Sequence, residues 1–303
     1  DGVKDFLAVK KNPEQLRVWT NTYLGETFED EGDQIDDMAL AERREELPYI
    51  PADAVLLTCG VDTQDNRLEA TIVAWGRDDE SWVISHSVLY GDPSANQLWD
   101  SLDALLFAKY EKEDGTEMTI RATAIDSGGH FTNSVYKYCK KHAGKRVFAI
   151  KGIGGEGKPI VGRPSKNNIA RCPLFSVGVN TVKDLIFARM RAEEGNGGYM
   201  HFSDQLDDEY FKMLTAEKVV TRYHKGFKRR EYVKIRTRNE ALDCMVYSIS
   251  AYAIIGVNVN ALADKMMSES VKKAVEPDKK EVKKAKKPAF VPRTGRNFVN
   301  SWR

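Results

Sequence analysis

Three aspartates stand where a carboxylate is costly to keep and chemically useful to have. Asp62 follows directly on the apolar run VLLTCGV at 55–61, Asp126 follows RATAI at 121–125, and Asp243 is the only charge between Ala241 and Asn260. Asp243 lies beside the stripe that Leu242, Val246, Ile249 and Ala253 form at helical spacing. An Asp that ends a buried strand is held at the sheet's edge by rigid backbone, where two such carboxylates on neighbouring strands can converge on one cation. A charge on the margin of a buried helix face costs several kcal/mol unless it is paired or metal-bound. Three convergent carboxylates with open solvent positions suit Mg²⁺ or Mn²⁺. Two such ions about 4 Å apart can activate a water and stabilise the leaving oxygen in phosphodiester hydrolysis. The structural alternatives are that Asp62 opens the turn-rich stretch 62–66, Asp126 caps the loop that follows it, and Asp243 pairs with Arg236 or Arg238. Asp65 is an outer-shell candidate, and Glu240 reads as a first-turn helix acid.

The elements that must hold these residues can be read from periodicity. Apolar runs at 55–61, 68–75 and 82–89, joined by short polar connections, predict three strands in antiparallel hairpins. A helix at 96–110, a strand at 120–125, a helix at 132–142 and a strand at 147–150 follow. Then come a strand at 174–179, a helix at 182–191, a helical pattern at 206–218, a basic hairpin over 219–224 and 230–235, and a helix at 239–255 ending at Gly256. Helical patterns at 13–24 and 36–46 precede them. The order resembles a ribonuclease H-like domain: an α/β fold with a mixed sheet, an antiparallel three-strand meander plus parallel strands, flanked by helices.

Charge is segregated along the chain. The 303 residues have a formal net charge of +1, yet residues 1–50 carry 13 Asp+Glu against 6 Lys+Arg, and residues 257–303 carry 12 Lys+Arg against 5 Asp+Glu. Eight Lys/Arg lie between Thr221 and Arg238, among them Arg222, Lys225, Lys228, Arg229 and Arg230, interleaved with Tyr223, Phe227 and Tyr232. That density beside the Asp243 helix is suited to double-stranded DNA, through its phosphates and not its base edges; the alternative is a solvated edge hairpin. Lys151, at a strand end, could approach a phosphate or be an edge lysine, and Lys158, in a Gly-rich loop, is a further candidate phosphate contact. The loop GIGGEGK at 152–158 imitates a phosphate-binding loop, but Pro159 replaces the required Ser/Thr, and Gly162 and Pro164 oppose the required helix. His130, next to Gly128 and Gly129, could contact DNA or metal, although a lone loop histidine is usually neither.

Four cysteines with no CxxC pair indicate neither zinc nor a disulfide framework, and a reducing cytosol is the default. The longest uncharged stretch, 244–260, is short for a bilayer span. No leader precedes Asp1, the expectation for an excised or processed chain.

Seven stretches together resemble the large terminase subunits of tailed double-stranded DNA phages, in the branch typified by phage lambda. They are WTNTYLGE (19–26), GVDTQDNRLE (60–69), AIDSGG (124–129), YMHF (199–202), YFKMLTAEK (210–218), NEALDC (239–244) and NSWR (300–303). The resemblance implies the C-terminal nuclease of a two-part packaging motor. Residues 1–51 would then be an acidic connector from an ATPase domain, 52–256 the nuclease, and 257–303 a mobile basic tail. It places Asp62, Asp126 and Asp243 at the family's metal-binding acids, although relatives outside this branch carry Glu at the second. It also implies cutting of concatemeric DNA with Mg²⁺ or Mn²⁺, a small terminase subunit as partner, portal docking through the tail, and a host-cytoplasmic location. A resolvase or transposase, or a silent docking module, are the competing expectations.

Overall fold

Helix α1 (Gly2–Val9) and the five-residue α2 (Asp37–Ala41) precede the sheet, α2 being capped by Asp36, whose Oδ1 accepts from the Met38 amide at 2.9 Å. The computed structural model describes residues 2–10, 15, 18–24, 34–166, 171–224 and 227–275, and of 21, 223, 224, 227, 228 and 270–275 the backbone only. The expected helix at 36–46 stops early because Arg44–Glu45 is recruited as strand β1, with the Arg44 guanidinium donating to Leu206 O and the Asp208 carboxylate.

The meander is β2 (Leu56–Thr63), β3 (Arg67–Trp75) and β4 (Ser81–Tyr90), antiparallel throughout. Helix α3 (Asn96–Leu106) follows, ending four residues before the expected Tyr110. Tyr110 instead starts the short pair β5 (Tyr110–Glu111) and β6 (Glu117–Met118). Strand β7 (Ile120–Asp126) lies parallel to β2. After α4 (Thr132–Lys141), β8 (Val147–Ile153) lies parallel to β7. Strand β9 (Ser165–Lys166) and β10 (Pro173–Gly178) complete that edge, and α5 (Val179–Arg191) follows. On the other edge β11 (Met200–Ser203) inserts between β4 and β1, giving the order β1-β11-β4-β3-β2-β7-β8-β10-β9. The central order β4-β3-β2-β7-β8, three antiparallel strands and then two parallel, is the ribonuclease H-like mixed sheet expected from the sequence.

Helix α6 (Asp208–Leu214) is shorter than the 206–218 pattern because Glu217 opens β12 (Glu217–His224), which pairs with β13 (Phe227–Lys234) as a separate hairpin. Helix α7 (Glu240–Ile255) ends at Gly256, whose φ of 56° is the left-handed conformation glycine adopts without strain. Helix α8 (Val259–Val275) occupies the start of the stretch expected as a mobile tail. Val259 and Ala263 are buried, and Asn258 accepts from the Ala261 amide at 3.0 Å. The rest of that stretch, 276–303, lies outside the described residues. The chain divides into two compact units, 1–264 and 265–303.

The strands separate two faces by their period of two. Cys59, Val61, Leu68, Ala70, Ile72 and Ile125 pack with Leu98, Trp99 and Leu102 of α3 and Val135 and Tyr136 of α4 in one buried core. The residues between them face α7, which lies across β2, β7 and β3.

Candidate active site

Asp62 is positioned by alternation and by one glycine. Along β2, Cys59 and Val61 belong to the α3–α4 core, so Thr58, Gly60 and Asp62 turn toward α7. Thr58 Oγ1 and Ser248 Oγ share a hydrogen bond of 2.7 Å. A Cβ on Gly60 would stand 1.9 Å from Cys244 O and 2.4 Å from Ser248 N, so only glycine lets the helix backbone rest on the strand there. That contact sets Asp243, one residue before Cys244, over the end of β2. In the parallel pairing Val61 is opposite Ile125, so the next residues, Asp62 and Asp126, are neighbours at the same end of adjacent strands.

The three carboxylates feel one another. Asp62 is 4% exposed, and its pKa is pushed up to about 7, chiefly by burial and further by the charges of Asp243, Asp126 and Glu240, against a hydrogen bond from the Gln64 amide. Asp243 is pushed up to about 6 by burial, with Lys183 opposing and Glu217 and Asp126 adding to the rise. Asp126 is raised by burial, opposed by the Gly128 and Ser127 amides and by Lys151. The Gly128 amide donates to Asp126 Oδ2 at 3.1 Å, so Asp126 does cap the loop that follows it. Tyr247, one turn beyond Asp243, is buried, and its hydroxyl is raised by that burial and by Asp126, Asp243 and Asp62 together. Among the described residues no three Asp, Glu, His or Cys side chains close on a single ion position. The donor chemistry nonetheless fits a hard divalent cation: three carboxylates on rigid elements, Asp62 buried and Asp126 and Asp243 half-buried, each disfavoured as an anion by desolvation.

Two ionic groups fix the first turn of α7. Glu69, opposite Asp62 in the β2–β3 register, is fully buried and accepts from Arg67 Nε at 2.6 Å and Arg238 Nη2 at 2.8 Å, with His86 Nε2 at 3.1 Å. Burial would raise its pKa; the His86 and Arg67 hydrogen bonds outweigh that and hold it at about 2. The same two arginines reach Glu240 at 2.8 and 3.3 Å, so Glu240 is a helix-anchoring acid. Arg238 is thereby engaged and Arg236 pairs with Asp37 at 2.9 Å, so neither is the partner of Asp243. That partner is Lys183, at 3.8 Å. Lys183 donates to both Glu217 oxygens at 2.7 Å, and Asn239 Nδ2 donates to Glu217 Oε1 at 3.0 Å. Nothing in the local sequence marks Lys183: a lysine between apolar helix positions reads as solvated until β12 is known to bring Glu217 against it.

The proposed DNA contacts distribute unevenly. Lys151 is exposed and close enough to Asp126 to lower its pKa. Lys158 is exposed in the loop after β8, where no helix follows, so the phosphate-loop resemblance fails in structure as in sequence. Arg222 pairs with Glu231 at 3.6 Å. Arg229 and Arg230 are exposed and line a 420 Å³ hollow with Gly155, Glu156 and Asn180. The Arg230 amide donates to Glu156 at 2.7 Å, and its guanidinium lies 3.3 Å from Asp184. Lys225 and the side chain of Lys228 lie outside the described residues. Asp65 is exposed and meets the exposed His130 at 3.0 Å.

The sequence model of the family described as "Terminase large subunit gpA, endonuclease domain" matches residues 1–265. The chain is 35% identical over 269 residues to the "Terminase, large subunit" of Enterobacteria phage P21, covering 85% of this chain and 41% of that protein. It is 34% identical over 261 residues to the "Terminase, large subunit" of Escherichia phage lambda, covering 83% and 41%. It thus spans less than half the length of the curated relatives it matches. The crystal structure of the HK97 bacteriophage large terminase aligns with a TM-score of 0.39 at 11% identity, over 82% of this chain and 49% of that one. With family agreement along residues 1–265 and the two phage relatives above 30% identity, the chain belongs to the endonuclease-domain family of phage terminase large subunits.

Proposed function

We propose that this chain cuts double-stranded DNA as a divalent-metal-dependent endonuclease, the step that resolves concatemers during packaging. The observation that carries the proposal is the placement of Asp62, Asp126 and Asp243 at one end of the sheet, Asp62 buried and the other two half-buried, with all three carboxyls raised by desolvation and those of Asp62 and Asp243 raised further by neighbouring carboxylates. Asp62, Asp126 and Asp243 would hold one or two Mg²⁺ or Mn²⁺ ions, whose chemistry is activation of water and stabilisation of the leaving oxygen. The chain's own part is to fix those ligands on β2, β7 and α7, and to bring the phosphate backbone to them. Lys151 stands beside Asp126, and the exposed Arg229 and Arg230 supply charge for backbone neutralisation.

The wider setting is part of the same proposal: a small terminase subunit that sets the cutting site, portal docking through the C-terminal stretch 257–303, and action in the host cytoplasm. Among the described residues no single helix is long and apolar enough to cross a membrane. The test is cleavage of supercoiled plasmid in Mn²⁺. The chain should nick and linearise it, and Asp62→Asn or Asp243→Asn should lower the rate at least about 100-fold, as loss of a metal ligand does. Activity that persists in both variants assigns the chemistry elsewhere.

A further inference from the structure

Lys183 is an ammonium in the interior, 7% exposed on α5. Such a group is tolerated only when paired. Its bidentate contact with Glu217, itself 4% exposed and further bound by Asn239, would by itself be a closed neutral pair. The same Nζ, however, stands 3.8 Å from Asp243 Oδ1, beyond hydrogen-bond length and well within reach of a small side-chain movement. One cation therefore serves two carboxylates on different elements, one at the root of the basic hairpin and one in the proposed metal centre. The Tyr232 ring, 5.7 Å away, and the contact of Tyr232 Oη with Asp184 at 2.6 Å hold α5 and the hairpin together around it.

Resting on the metal-dependent reading above, we propose that Lys183 is a positioning residue that acts as the internal counter-cation of the metal-free centre. It keeps Asp243 oriented when no ion is bound and is left to Glu217 when a divalent ion neutralises Asp243. Glu217 is in this account the acceptor that draws Lys183 away, so the two residues act on ion affinity with opposite signs. Removing the ammonium removes a like charge that opposes the ion; removing the Glu217 charge leaves the ammonium to Asp243 alone.

The test is Mn²⁺ affinity of the full 303-residue chain without DNA, read from the free-ion electron paramagnetic resonance signal. Lys183→Met should bind Mn²⁺ about tenfold more tightly while cleaving more slowly, and Glu217→Gln should bind it several-fold more weakly. Lys183→Arg should restore the parental affinity. A lysine that merely supports the fold would give weaker binding in both variants. Lys183→Met/Glu217→Gln, which removes both charges of the buried pair together, covers the case in which the single Lys183 variant does not fold; it should bind Mn²⁺ more tightly than Glu217→Gln. Unchanged or weakened affinity in Lys183→Met, or in the double variant relative to Glu217→Gln, overturns the inference. If the parental chain binds Mn²⁺ and Asp62→Asn abolishes it, that failure belongs to Lys183 alone. If the parental chain binds none, the metal reading and this inference fall together.

Discussion

At the scale of single residues, the decisive quantity is the work of keeping Asp62 charged beside Asp243 and Asp126. A carboxyl at about 7 in the folded chain and near 4 in the unfolded one binds a proton on folding between those values. Its contribution is therefore favourable to the folded state at low pH and is lost as pH rises toward 7. In metal-free buffer, raising the pH from 5 to 8 should cost the parental chain roughly 2 to 3 kcal/mol relative to Asp62→Asn, measured as the difference between their urea-unfolding free energies at the two pH values. Equal pH dependence in the two proteins would mean that Asp62 is not the strained acid described. The same scale explains what could be read in advance. Asp62, Asp126 and Asp243 each interrupt an apolar run, which is a local signal. Lys183 and Glu217 interrupt nothing, and their pairing across 34 positions exists only in the folded chain.

Elements translate those residues into a site. The strands were legible because β2, β3, β4, β7 and β8 are buried and rich in apolar residues, and α7 because a long uncharged stretch ends in glycine. The short strands β1 and β11 were not, since two and four residues carry no period; they form because the edge of β4 is open to parallel pairing. The crossing of α7 on β2 rests on Gly60. Gly60→Ala should destabilise the chain by roughly 3 kcal/mol or prevent folding, because the atoms it meets are backbone and cannot turn aside. Gly154→Ala, with nothing within 4 Å, should stay within about 0.5 kcal/mol of the parent in the same thermal melt. Equivalent melts for the two variants would remove Gly60 as the contact that places Asp243.

At the scale of the whole molecule, the near-zero net charge conceals a division of labour. The acidic site on the sheet is the one proposed to take cations, whereas the hairpin carries the positive charge suited to a polyanion. Part of that charge is already spent within the chain, Arg222 on Glu231 and Arg230 on Asp184, so the hairpin offers DNA fewer free cations than its composition implies. Arg229→Ala/Arg230→Ala should weaken binding to DNA of any sequence alike and reduce the slope of log affinity against log salt by about 2, which a salt titration by fluorescence anisotropy reads directly. An unchanged slope would move the phosphate contacts to another surface.

In the function proposed, Asp62, Asp126 and Asp243 together hold the metal. A crystal of the chain grown with Mn²⁺ and measured at the manganese absorption edge tests it most directly. Anomalous peaks are expected about 2 Å from carboxylate oxygens of Asp62, Asp126 and Asp243, with a second peak about 4 Å from the first if two ions act. Manganese bound elsewhere with these three carboxylates unliganded would contradict it.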